Sequence, residues 1–154
     1  MSTPDSVEYT DLLLNLMEQR LSLLRAILPL VEQQKRAIHS EDSAALLGIL
    51  GRKQPLIEEL SQLQLQLAPY IHDNAEARVW KDEATRAQCR QVTQLATQLF
   101  KTILDLEATT LEDATTRRDC LQAQLQDGQD SILAHSAYNA ESVLTQSSLD
   151  LGEA

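Results

Sequence analysis

The stretch L46-LGILGRKQPLIEELSQLQLQLAP-Y70 decides the fold. Leu46, Ile49, Leu56, Leu60, Leu63, Leu67 and Tyr70 recur with gaps of three and four once Lys53 is admitted to the series. At 3.6 residues per turn these positions fall on one narrow stripe, the heptad seam of a packed helix. One apolar stripe is not stable alone in water, so neighbouring segments must cover it. Those on either side have the composition to do so, and the chain reads as all-α: an antiparallel helical hairpin or coiled-coil bundle of three long helices.

The totals agree with this. The chain has 154 residues, 43 % hydrophobic but only 3 % aromatic, with four Gly and four Pro. That is one domain's worth of chain, with the Leu, Gln, Ala and Glu of long helices and too few turn residues for an all-β domain. A net charge of −10 argues against nucleic acid and against anionic membranes, both of which select basic surfaces. No apolar run reaches spanning length. Met1 to Thr10 carries Asp5 and Glu8 without a basic residue, unlike a secretory leader. Cys89 and Cys120 fall in one predicted helix, roughly 46 Å apart along it, beyond disulfide reach. Unpaired thiols fit a reducing compartment, so a cytoplasmic protein is expected.

Working outward from the seam, Asp5 with Glu8 reads as a capping box opening helix one, over about residues 5–39. Its apolar face comprises Tyr9, Leu13, Leu16, Met17, Leu24, Ile27, Val31 and Ile38, widened by Leu12, Leu23 and Leu30. Pro29 removes one backbone hydrogen bond and is expected to bend it. Ser40, followed by Glu41 and Asp42, opens helix two, over about 41–69. The short turn makes the first two helices antiparallel neighbours. Asp73 or Asn74 is the expected cap of helix three, over about 74–126 and ended by Gly128. That completes a helical domain over 1–126.

Helix three is too long for its neighbours. About 53 residues span about 80 Å, against about 52 and 45 Å for the other two. Its last third must overhang or fold back, and Thr109, Thr110, Thr115 and Thr116 mark a weak place for a break. Leu111, Ala114, Leu121 and Leu125 continue an apolar stripe there with nothing left in the hairpin to cover it. The tail, 127–154, is acidic and has no Lys or Arg, since Arg118 is the last. Scattered Ile132, Leu133, Tyr138, Val143, Leu144, Leu149 and Leu151 suit a flexible segment, disordered or conditionally helical on meeting a partner.

Catalytic constellations are not found. His39, His72 and His135 lie near helix ends or in the tail, with none of the Glu-x-x-His pairs of carboxylate-bridged metal sites or the clustered Cys and His of zinc sites. There is no P-loop, Gly-rich cradle or nucleophile elbow. No enzyme, cofactor or metal is expected. Lys53 is read as a stem packed in the seam with its ammonium reaching water, the other reading being a register-fixing polar residue. Trp80 is expected to plug the bundle end near Tyr70 and Ile71.

Helix one, Ser40-Glu41-Asp42, Leu46-Leu47 and Arg52-Lys53-x-x-Leu56-Ile57-x-x-Leu60 together resemble the pattern of FlgN-type flagellar export chaperones. Ala77-Arg78-Val79-Trp80 before a long Gln-rich helix, and Ala137-Tyr138-Asn139 in the tail, extend the similarity over most of the chain. The resemblance implies a cytoplasmic chaperone without cofactor that holds hook–filament junction proteins unassembled and brings them to the type III export apparatus. It places the client surface in the C-terminal part, here Leu111, Leu121, Leu125 and the tail with Ile132 and Leu133, and makes Tyr138 a contact with the export gate. The competing expectation is a constitutive coiled-coil homodimer or scaffold, in which a second copy covers the same stripe.

Overall fold

A computed structural model describes the backbone of residues 6–152 and the side chains of residues 6–141. The chain is all-α: α1 spans Val7–His39, α2 Ser43–Ile71 and α3 Glu83–Gly152, with one 3-10 turn at Ala75–Ala77. Two compact units result, Met1–Leu111 and Glu112–Ala154.

In the first unit α1 and α2 form the expected antiparallel hairpin. Tyr9, Leu13 and Leu16 from the start of α1 cluster with Leu63, Leu67 and Tyr70 from the end of α2. Leu30 and Ala37 from the end of α1 meet Ile49 near the start of α2. The seam is buried as its spacing requires, with Leu46 and Leu56 half-buried against those clusters. α3 runs parallel to α1: Cys89 joins the first cluster, and Val92, Ala96 and Ile103 pack with Leu21, Leu24, Ile27 and Val31.

The helix boundaries differ from the sequence reading in instructive ways. Ser6 caps α1, its hydroxyl accepting from the Tyr9 amide at 3.2 Å; the expected cap Asp5 lies outside the described residues. Asp42, not Ser40, caps α2, accepting from Ala45 N at 3.0 Å, while the Ser40 hydroxyl turns back to the Arg36 carbonyl. The chain reverses through Glu41 at φ 57°, the left-handed conformation that closes many helix ends.

Neither Asp73 nor Asn74 opens α3. Asn74 caps the 3-10 turn, and Asp73 is drawn inward to Arg78. α3 begins nine residues later, where Asp82 accepts from both the amide and the hydroxyl of Thr85 at 2.7 Å. At its far end α3 continues past Gln126 and Gly128 to Gly152. Gly128 is not in the left-handed conformation, so it lacks the geometry with which glycine ends a helix. The threonine run does not break the helix either. Thr109 Oγ1 donates to the Asp105 carbonyl one turn back at 3.0 Å, while the Thr110 side chain is buried. Helix thus runs through the tail to Gly152, and the side chains of Val143, Leu144, Leu149 and Leu151 lie outside those described.

Candidate functional site

Perturbed titratable groups often mark functional sites, and the strongest set here sits at the end of the hairpin. Tyr9 and Tyr70 stack with ring centroids 4.5 Å apart. The Tyr9 hydroxyl donates to Asp73 Oδ2 at 2.5 Å. The Arg78 guanidinium donates to both Asp73 oxygens, at 3.0 and 2.5 Å, and to the Tyr70 carbonyl at 2.7 Å. Thr10, fully buried, places its hydroxyl within reach of the Val7 and Val79 carbonyls, at 3.0 and 2.8 Å. Trp80 packs against the apolar cluster that includes Tyr70, but Ile71 points to water.

The charges follow from these contacts. Hydrogen bonds from Arg78 hold the Asp73 carboxyl below its usual range, against the opposing effect of burial. Burial, with the bond to Asp73, pushes the Tyr9 phenol up to about 12. Each charged group in the cluster has its complement, with Asp73 only 6 % and Arg78 16 % exposed at the side chain. This is a clasp joining the start of α1, the end of α2 and the connection to α3.

A second polar link crosses the seam. Lys53 Nζ donates to Gln34 of α1 at 3.0 Å and is paired with the Glu107 carboxylate of α3. The ammonium therefore does not reach for water; its side chain is 14 % exposed. One lysine ties all three helices in a single register.

Among the described residues no group of three or more His, Cys, Asp or Glu side chains could hold a metal, and no helix is long and apolar enough to cross a membrane. Cys89 is buried, and that burial raises its thiol pKa, while Cys120 is exposed.

The six residues expected to bind a partner are all in water. Leu111, the last residue of the first unit, is exposed, and in the second unit Leu121, Leu125, Ile132, Leu133 and Tyr138 are each between 57 and 70 % exposed. Helical spacing sets Leu121, Leu125 and Ile132 on one stripe, while Leu133, one residue after Ile132, is turned about 100° away from it. Tyr138, thirteen residues after Leu125, falls on the opposite side of the helix and does not join them. An open groove in the first unit, beside Arg20 and Phe100, was not anticipated. It depends on how three helices are spaced, and only the apolar character of Phe100 and Leu104 hinted at it. Comparison with known proteins gives no match to a family model, a curated protein or a solved structure.

Proposed function

We propose that this chain is a non-enzymatic export chaperone of the flagellar type, holding a hook–filament junction protein unassembled in the cytoplasm until it reaches the type III export apparatus. The observation that supports this reading is the second unit. There a helix holds Leu121, Leu125 and Ile132 on one face and leaves each of them mostly in water. Side chains of this size gain about 1.5–3 kcal/mol each on full burial, so a partner that supplies an apolar helix face is favoured to bind. Covering the client's own assembly helix would block polymerisation by mass action. The excess of acidic residues keeps such a holder soluble. Tyr138, away from the stripe, would be free to meet the export gate while the client is held.

Light-scattering mass of the purified protein, alone and mixed with hook–filament junction proteins, tests this. A 1:1 complex that Leu121→Asp abolishes without loss of helicity is the expected result. A tight dimer that ignores those proteins, and that the same substitution dissociates, would instead make the stripe a self-association surface and the chain a scaffold.

A further inference from the structure

The first unit is not closed on every side. Along the α1 stripe Leu13, Met17, Arg20, Leu24 and Ile27 the surface is grooved, first between α1 and the end of α2 and then between α2 and α3. Two cavities lie end to end along that stripe. One, of about 420 Å³, runs from Leu13 and Met17 to Arg20 beneath Leu67 and Ile71 of α2. The other, of about 560 Å³, lies over Leu24 and Ile27 between Ile57 of α2 and Leu104 of α3. Leu104, 51 % exposed, and Ile71, 75 % exposed, give the lining wet apolar edges, and its charged groups other than Arg20 are already paired, Lys53 with Glu107 and Arg78 with Asp73. Fourteen residues of α1 separate Leu13 from Ile27, about 21 Å or four helical turns.

The middle of the floor holds a cation without an anion. The Arg20 guanidinium stands 5.7 Å from the centroid of the Phe100 ring, within the range of a cation–π contact. No carboxylate or hydrogen-bond acceptor meets it among the described residues. Partial burial alone pulls its pKa down. A partly buried cation with no anion beside it gains from a carboxylate brought in with an apolar surround.

We propose that this groove docks a helix of a partner protein, about four turns long, with a carboxylate in the middle of its apolar face. A second copy of this chain does not fit that description. The stripe of Leu121, Leu125 and Ile132 includes Arg118 at heptad spacing and no acid, because Asp127 and Asp130 fall on its other side. It would bring a cation towards Arg20. The site is separate from the residues invoked for holding a client and does not rest on that reading.

Three synthetic 16-residue amphipathic peptides, alike except for Glu, Gln or Lys at the centre of a Leu face, test the assignment by fluorescence anisotropy against the full chain. The Glu peptide should bind about tenfold more tightly than the Gln peptide, and the Lys peptide more weakly than both. Arg20→Gln should erase the difference between Glu and Gln, while Arg20→Lys restores part of it. Leu104→Glu, at a half-exposed position, should remove binding of all three with far-UV circular dichroism unchanged, and Leu121→Asp should leave binding intact. Equal binding of the three peptides, no binding by any, or binding lost in Leu121→Asp but retained in Leu104→Glu would each overturn the proposal. So would a tight dimer of the unmodified chain that Leu104→Glu dissociates.

Discussion

Replacing Asp73 with Ala should cost more than any other exchange in the connection between α2 and α3. The substitution removes the acceptor for the Tyr9 hydroxyl and for two nitrogens of Arg78. It leaves a guanidinium that is only 16 % exposed with one carbonyl, that of Tyr70. Removing one member of a buried pair typically costs 3–5 kcal/mol. Arg78 retains some access to water, which favours the lower end, about 3 kcal/mol. With a urea slope of about 1.5–2 kcal/mol/M, the midpoint should fall by about 1.5–2 M. Trp80, packed beside the clasp, provides the fluorescence signal, and circular dichroism provides the global one. The pH dependence has a definite sign. Because the folded carboxyl titrates below its ordinary value, its contribution is complete above the unfolded pKa and disappears as pH falls through the folded one. The curves of wild type and Asp73→Ala should therefore converge in acid. A loss below about 0.5 kcal/mol at pH 7, or a gap independent of pH, would show that the clasp is solvated and that the apolar clusters alone hold the hairpin end.

Three further outcomes follow from the geometry. Tyr9→Phe should lower stability by about 1 kcal/mol at neutral pH. It should also reduce the alkaline loss that wild type shows as pH rises from 10 through about 12, where the folded phenol keeps a proton the unfolded one sheds; unfolding curves between pH 8 and 12 check both. Leu24→Ala, at a side chain wholly out of water in the central cluster, should cost about 3 kcal/mol in urea titration. Thr110→Val should raise the thermal midpoint, gaining about 1 kcal/mol, because the Thr110 hydroxyl is buried without a hydrogen-bond partner among the described residues.

The hairpin was legible because burial acts on a local spacing. Any helix with the Leu60, Leu63, Leu67 and Tyr70 interval must cover that face, and α1 offers the matching stripe. What was hidden depends on residues distant in sequence. Lys53 looked like a solvent-seeking cation because nothing near it in sequence reveals Glu107, 54 positions away. Asp73 had the chemistry of a helix cap, and only the fold shows that Tyr9, 64 positions earlier, uses it instead. Gly128 illustrates the reverse error: a helix stops at glycine when the backbone turns left-handed, and composition alone does not record that choice. For the candidate site, the exposed leucines of the last third were legible as an uncovered stripe. The groove was not, since an aromatic or leucine on a helix reads the same whether it fills a core or rims an opening.

The two thiols on α3 have a practical consequence. Burial suppresses thiolate formation at Cys89, whereas Cys120 stands in water, so maleimide reagents should modify the second unit and spare the core. The single Trp80 belongs to the first unit. An acceptor dye on Cys120 would thus form an energy-transfer pair with a native donor, and the separation of the two units could be followed in solution without introducing a mutation.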